Sequence, residues 1–221
     1  NEANKQIEFR DISSPLAKEP VNNCSFTSSL IQRNLTDAFE IEKFLAKYPT
    51  AKFRNISNKI KFPFDSTRQV YLPYDNFNNQ ETNNFFAPLM IFPIKKITNK
   101  NLVYNMITHY EPQLNLEYSS TSYATFGTIH SGLGNKDMAW KLFRSYQLIW
   151  QDGSFQTWFK HPDKKETNYY LPAAGSFLQQ IIFGFVGIHF DISGIYLNPS
   201  MPTGWDTIEL KNVAFGSGIY N

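Results

Sequence analysis

Residues 171–190 read LPAAGSFLQQIIFGFVGIHF, and their hydrophobic period changes partway along the run. Apolar side chains first recur at the one-three-four spacing of a single helical face, at Phe177, Leu178, Ile181 and Ile182. They then alternate with other residues, which is the period of a half-buried strand, at Val186, Ile188, Phe190 and Ile192. The stretch therefore predicts a helix that leads into a strand and joins a helical layer to a sheet.

Three glycines in this stretch predict a close approach of the backbone to something else. Gly175 lies ahead of the predicted helix, and Gly184 and Gly187 lie where the helix gives way to the strand. Tight packing between elements is the commoner reason for such glycines, and a small polar ligand is the alternative. The sequence leaves both interpretations open.

The chain before this stretch is predicted to be mostly helical. Residues 1–20 read as an extended lead-in, and residues 66–96 as a long irregular connection that lies against the body of the protein. Between and after them, three-four spacing predicts helices from Val21 to Pro49, Thr50 to Ile60, Asn99 to His109, around Tyr123 to His130, and onward from Asn135. These helices make the fold mainly α.

The chain after this stretch is predicted to form strands. Short apolar runs separated by glycine and proline occur at Ile195–Leu197, Thr207–Leu210 and Val213–Phe215. Helices followed by strands predict paired helices with a small antiparallel sheet beside them.

The amino-acid composition limits the classes of function that the chain could have. The 221 residues are 42% hydrophobic and 16% aromatic, which is a globular composition. The net charge is +2 with dispersed basic residues, so no nucleic-acid or membrane surface is indicated. No apolar run reaches the roughly 18 residues of a membrane span. The four histidines lack metal-ligand spacing, and we expect no metal site and no cofactor.

Several features concern processing. Cys24 is the single cysteine, which excludes an internal disulfide and leaves a buried thiol or a bond to another chain. The first residue is Asn1 without a signal peptide, which we interpret as a processed chain. Three triplets fit the glycosylation pattern and favour a secreted or extracellular protein, and their acceptors are Asn23, Asn34 and Asn55.

The stretch 171–190 resembles the carboxy-terminal signature of glycoside hydrolase family 65, in its branch of acid trehalases and glucosylgalactosyl-hydroxylysine glucosidases. That signature is Leu-Thr-Gly-x-Gly-Gly-Phe-Leu-Gln followed by Phe-Gly-x-x-Gly. The matching residues are Leu171, Gly175, Phe177, Leu178, Gln179, Phe183, Gly184 and Gly187, and the departures are Pro172, Ala174 and Ser176. The fold expected from this resemblance is an α/α toroid.

Further ordered matches extend the resemblance over about Val21 to Asn221. They are Val21-Asn22-Asn23 with Phe26-Thr27, Lys59-Ile60-Lys61 with Pro63-Phe64-Asp65, Ser122-Tyr123-Ala124 with Phe126, and Asn198 to Pro202. The resemblance implies that residues 21–190 are the second half of a six-hairpin α/α toroid. Residues 1–20 would be the lead-in, and residues 191–221 a carboxy-terminal β segment.

Half a toroid would expose apolar helical faces far larger than a monomer tolerates. The resemblance therefore predicts a tightly bound second chain that supplies the amino-terminal half of the fold, and so a heteromer.

The catalytic chemistry implied by the resemblance requires two carboxyl groups. An inverting glycosidase uses one to protonate the glycosidic oxygen and another to activate water. Leu16 stands at the position of the family acid, and Lys160 at that of the base. A lysine cannot accept a proton from water at neutral pH without a strongly depressed pKa. Glu19 is the nearest fallback acid, and Asp163 and Glu166 are the fallback bases.

A third position also departs from the family. A Lys-Gln pair that helps to hold glucose corresponds here to Asn83 and Asn84. Together with Trp158 and Gly175, these are the candidate carbohydrate-binding residues. We therefore predict a catalytically inactive relative that acts as a structural or carbohydrate-binding subunit. An active α-glucosidase with displaced or partner-supplied carboxylates, and a storage or matrix protein, are the alternatives.

Overall fold

The computed structural model describes residues 5–14, 17, 19–45, 48, 51–78, 99–113, 120–152, 157–158, 170–191 and 194–220. Its helices are α1 Ser25–Phe44, α2 Ala51–Lys59, α3 Lys100–Tyr110, α4 Ser120–Leu133, α5 Lys136–Trp150 and α6 Leu171–Gln179. A 3-10 turn follows α3 at Glu111–Gln113, and a π-helix follows α6 at Gln180–Phe185. None of the helices in these ranges is both long and apolar enough to span a bilayer.

The strands are short and pair in twos. They are β1 Phe64–Asp65, β2 Val70–Tyr71, β3 Gln151–Asp152, β4 Thr157–Trp158, β5 Ile188–Asp191, β6 Gly194–Leu197, β7 Val213–Phe215 and β8 Gly218–Tyr220. Each pairs antiparallel with its neighbour in sequence. The prediction of a mainly helical fold with short antiparallel strands is therefore confirmed.

The helices pack as sequential neighbours. Helix α1 packs against α2, and α4 packs against α5, α6 and the π-helix. Gly134 ends α4 with φ of +84°, and its N–H donates to the Ser131 carbonyl in the tight turn to α5. The predicted helix boundaries agree with the observed ones to within a few residues.

The main core lies between α3, α4 and the segment around β2. Val103, Met106 and Ile107 of α3 are buried there, as their spacing predicts. The Tyr110 hydroxyl donates to the Tyr71 carbonyl at 2.7 Å, and burial raises the pKa of this phenol. Residues 66–78 thus lie against the body, as predicted for the connection 66–96. The predictions for residues 79–96 fall outside the described residues.

The change of period at residues 171–190 is confirmed as a change of structure. Helix α6 continues through the π-helix, and β5 begins at Ile188. One detail is wrong: Leu178 is 55% exposed, although Phe177 packs against both core clusters. Leu178 precedes the π-helix and lies about 100° around α6 from Phe177, at the solvent-facing edge of the apolar face.

The glycines of this stretch have different roles. A Cβ at Gly187, where φ is +66°, would collide with the carbonyl oxygen of Asn198. A Cβ at Gly184 would lie 3.1 Å from Oγ of Ser131 on α4. Both glycines therefore serve close packing. Gly175 is exposed, and no described atom lies within 4 Å of where its Cβ would be.

The carboxy-terminal segment is held by an aromatic cluster rather than by a sheet. Trp205 lies with its ring centroid 5.6 Å from those of Phe185 and Trp140. Ile208 packs against the same cluster, and the predicted strand Thr207–Leu210 is wrong because this segment pairs with no described strand. The single small sheet is also wrong, because β5–β6 and β7–β8 are separate pairs.

We predict that Gly187→Ala destabilises the chain much more than Gly134→Ala. Both positions have positive φ, so alanine should cost about 1 kcal/mol of backbone strain at either one. Only Gly187 has a backbone oxygen where the methyl group would go, and we expect about 3 kcal/mol or more of total loss there. Urea unfolding followed by circular dichroism would measure both changes. Equal losses of unfolding free energy in the two variants would contradict the close approach of the Asn198 carbonyl to Gly187.

Candidate functional site

The Val21-Asn22-Asn23 motif joins three segments that are distant in sequence. The Asn23 side chain is 1% exposed, and its oxygen accepts the Phe9 N–H at 2.9 Å. Its amide nitrogen donates to the Asp75 carboxylate at 2.6 Å. The Asn22 oxygen accepts the Asp11 N–H at 2.9 Å. The two amides thus fasten the lead-in and the loop around Asp75 to the start of α1.

Charged groups complete this arrangement. The ammonium group of Lys61 lies 2.9 Å from a Glu8 oxygen and 3.4 Å from an Asp75 oxygen. The hydrogen bond with Lys61 is the largest cause that lowers the pKa of Glu8, followed by the hydrogen bond with Arg10. The same bond to Glu8 raises the pKa of Lys61. Glu8 and Lys61 are therefore each stabilised in the charged form.

Two other partly buried carboxylates also have structural partners. Asp65 accepts the backbone N–H groups of Thr67 and Arg68, and the bond from Arg68 is the largest cause that lowers its pKa. Both Glu111 oxygens lie 3.1–3.2 Å from Nε2 of the buried His130. These contacts close the β1–β2 turn and join the end of α3 to α4.

The predicted catalytic positions are mostly outside the described part of the chain. Leu16 and Lys160 lie there, as do Asp163 and Glu166. Glu19 is described and exposed. Ala17, the residue after Leu16, packs against the main core and donates its N–H to the Ser14 carbonyl at 3.3 Å.

Two of the predicted carbohydrate-binding residues lie on elements that contact each other. Trp158 is in β4, whose backbone pairs with Gln151, and β4 lies against α6, which carries Gly175. Asn83 and Asn84 fall outside the described residues. Helix α6 and strand β4 are thus the parts of the predicted carbohydrate site that the structure describes.

The prediction of glycosylation at Asn23 is wrong. Both ends of this buried side chain are hydrogen-bonded, so the folded structure has no room for a glycan there. Asn34 and Asn55 are exposed. Cys24 is fully buried, with its sulfur 2.9 Å from Oγ of Ser14, which matches a buried thiol rather than a bond to another chain.

Sequence reasoning missed Asp75, because its partners Asn23 and Lys61 are 52 and 14 residues away. It also missed the buried Gln180, whose amide nitrogen donates to the Ala139 carbonyl at 3.0 Å. The position of this glutamine inside an apolar run was the sequence signal that could have indicated its burial. Within the described ranges, no three potential metal ligands converge.

The chain is similar to known glycosidases over most of its length. It is 25% identical to the protein-glucosylgalactosylhydroxylysine glucosidase of Danio rerio over 196 residues, covering 88% of this chain and 30% of that protein. It is 24% identical to the kojibiose hydrolase of Flavobacterium johnsoniae, covering 88% and 29%. It is 26% identical to the periplasmic acid trehalase of Saccharomyces cerevisiae, covering 77% and 15%.

A structural comparison agrees with these similarities. A kojibiose-phosphorylase-like protein from the human microbiome matches with a TM-score of 0.62 and 14% identity, covering 91% of this chain and 33% of that chain. No family model matches the chain. The resemblance that the sequence motifs predict is nevertheless confirmed: the chain is similar to family 65-type glycosidases, and it spans 30% or less of the length of these three curated relatives.

Proposed function

We propose that this chain is a non-catalytic family 65-like protein that acts as a structural or carbohydrate-binding subunit. The proposal rests on a contrast between the residues that hold the fold together and the residues that catalysis would require. The Val21-Asn22-Asn23 motif is present and makes the contacts that hold three segments together. The motif resemblance puts the family's acid and base positions at Leu16 and Lys160, and neither residue is a carboxylate.

The chemistry of the described carboxylates supports this proposal. A general acid that works near neutral pH needs a raised pKa, which burial or a neighbouring negative charge supplies. The pKa values of Glu8 and Asp65 are lowered by cations and backbone N–H groups. Asp75 and Glu111 already bond Asn23 and His130. These four groups are therefore used for structure.

The carbohydrate-binding part of the proposal rests on β4 and α6. The strand that contains Trp158 lies against the helix that contains Gly175, and no described atom lies within 4 Å of a Cβ built at Gly175. Trp158 and Gly175 thus belong to adjoining elements of the fold. This supports a glucose-type ligand beside these two elements.

We further propose that the helix pairs are half of an α/α toroid completed by a second chain. Helix α1 buries Ser25, Ser28 and Ser29, whereas its apolar residues Leu30, Ile41 and Phe44 are 46–69% exposed. Spacings of 11 and 3 residues place these three on one helical face. The relatives are more than three times as long as the matched region, so the missing portion is the occupant we propose. The exposed glycosylation triplet at Asn34 supports secretion.

We predict no hydrolysis of kojibiose, trehalose or glucosylgalactosyl-hydroxylysine by the purified chain. Without a paired acid and base, the glycosidic oxygen is not protonated and water is not activated. Glucose release at high protein concentration is the measurement.

Turnover would contradict the proposal if it disappeared in Glu19→Gln, Asp163→Asn or Glu166→Gln. The matched control is Asp206→Asn, an exposed carboxylate in the carboxy-terminal segment, which identifies contaminating activity if the turnover persists in every variant.

We predict that Asn23→Ala destabilises the chain by about 2–4 kcal/mol. The change leaves the Phe9 N–H and the Asp75 carboxylate without this partner, and it places alanine at a φ of +53°. Asn58→Ala is the control, because Asn58 is exposed on α2 and alanine favours a helix. Thermal and urea unfolding would measure both. Equal effects would show that the motif does not hold the fold.

We predict that the chain purified alone self-associates through the exposed face of α1. Ile41→Glu with Phe44→Glu should shift it towards a 25.6 kDa monomer and reduce binding of a hydrophobic dye, because both changes charge the apolar stripe. Thr36→Glu adds a carboxylate elsewhere on α1 as the control. Sedimentation velocity is the measurement. A soluble wild-type monomer without dye binding would contradict the incomplete-fold proposal.

A further inference from the structure

A shallow cavity of about 640 Å³, open to solvent, lies between the lead-in and α2. It is lined by Lys5, Gln6, Ile7, Lys52, Asn55, Ile56 and Lys59. Three of these seven side chains are lysines, two are amides and two are isoleucines. No carboxylate is among them. The lining therefore combines positive charge, neutral hydrogen-bonding groups and an apolar surface.

The geometry of α2 explains one wall of this cavity. Lys52, Asn55, Ile56 and Lys59 are spaced by three, four and seven residues, which puts them on a single helical face. The two lysines are seven residues apart, which is about 10 Å along the helix axis. The amide and the isoleucine lie between them. This wall thus has a cation towards each end and a neutral centre.

The opposite wall is brought in by backbone pairing. The Ile7 N–H donates to the Lys59 carbonyl at 2.8 Å, and the Ile7 carbonyl accepts the Lys61 N–H at 3.0 Å. This parallel bridge fixes the lead-in beside the end of α2 and brings Lys5 to the cavity. Lys5 is 47 residues from Lys52 in sequence, so sequence spacing gives no sign of the cluster.

The three ammonium groups have no protein counter-charge among the described residues. Lys5, Lys52 and Lys59 take part in none of the ion pairs in these ranges, and Glu8, the acidic residue next to Ile7, already pairs with Lys61 and Arg10. Like charges around one cavity repel one another unless an anion lies between them. The nearby Glu8 carboxylate already pairs with Lys61, so an external anion is the group that would fit between the three lysines.

We propose that this cavity binds an anionic saccharide, one that carries sulfate or carboxylate groups. The lysines would pair with the anionic groups, and Gln6 and Asn55 would hydrogen-bond to hydroxyl groups. Ile7 and Ile56 would contact the apolar face of a sugar ring. The spacing of about 10 Å between Lys52 and Lys59 suits a ligand with two separated anionic groups rather than a single small ion. This inference does not depend on the proposed function, because it uses no residue of the predicted catalytic or glucose-binding positions.

The test is calorimetric titration of the full, unglycosylated chain with a sulfated disaccharide derived from heparin. Unglycosylated protein is needed because Asn55 lines the cavity and a glycan on it would fill the space. Maltose and inorganic sulfate are the comparison ligands. The variants are Lys52→Gln with Lys59→Gln, the same pair changed to Arg, and Asn55→Ala. Lys141→Gln, an exposed lysine on α5, is the matched control.

We expect the disaccharide to bind, and the double Gln variant to weaken binding about tenfold because two charge-assisted contacts are lost. Added salt should weaken binding, the Arg pair should retain it, and Lys141→Gln should leave it unchanged. Asn55→Ala should weaken binding of the disaccharide but should leave binding of inorganic sulfate unchanged. Circular dichroism checks that each variant is folded.

Three results would overturn the proposal. The first is no binding of the disaccharide by the folded wild-type chain. The second is an equal loss in Lys141→Gln, which would indicate general attraction to a basic protein. The third is displacement by inorganic sulfate at equal concentration, which would indicate an anion site without a saccharide contact.

Discussion

The hydrogen bonds of the buried Asn23 side chain are the constraint on which the arrangement of the amino-terminal half depends. A single amide bonds the lead-in at Phe9 and the loop at Asp75, while its own backbone begins the approach to α1. A buried amide is stable only when both ends have partners, so the three segments must meet at this point. The residue also has φ of +53°, a conformation that asparagine tolerates better than most residues. Folding alone is therefore sufficient reason for this motif to be present.

The contacts that hold the fold together can therefore be distinguished from the groups that hydrolysis would require. The Val-Asn-Asn run, the Lys-Ile-Lys run and the glycine pair all make packing or hydrogen-bond contacts that the structure describes. Lys61 forms ion pairs with Glu8 and Asp75. The lack of a side chain at Gly187 lets the Asn198 carbonyl lie close to it. Each of these contacts would be needed in a protein that had no catalytic activity. The similarity to glycosidases is thus compatible with the proposed absence of the carboxylates on which hydrolysis depends.

The sequence predicted the elements better than their associations. Helix α3 was predictable because Val103, Met106 and Ile107 repeat on one face, and β5 was predictable because the period changes after Gly187. The alternation at Thr207–Leu210 led to a wrong strand, since Ile208 is packed by the Trp205 cluster and not by a paired strand. Leu178 was misplaced because spacing groups apolar residues on one broad helical face but does not show which edge of that face is covered. A local pattern reports which side of a segment is buried, but not what buries it.

The sites were harder to predict because they are assembled from distant residues. Asn23 resembled a glycosylation acceptor, and only the positions of Phe9 and Asp75 show that its amide is occupied. The lysines of the cavity appeared dispersed until the Ile7–Ile60 bridge brought Lys5 to α2. In both cases the deciding contact spans tens of residues, which composition and spacing do not encode.

The most direct measurement is a crystal structure of the chain with glucose bound beside Trp158, from which the distances between surrounding carboxyl groups can be read. An inverting glycosidase holds its two carboxyl groups about 6.5–9.5 Å apart, with a water molecule on the far side of the sugar from the acid. The account predicts that no two carboxyl groups face each other across the sugar at that separation. A pair formed by Glu19 with Asp163 or Glu166 at that separation, with an ordered water positioned for attack, would contradict it.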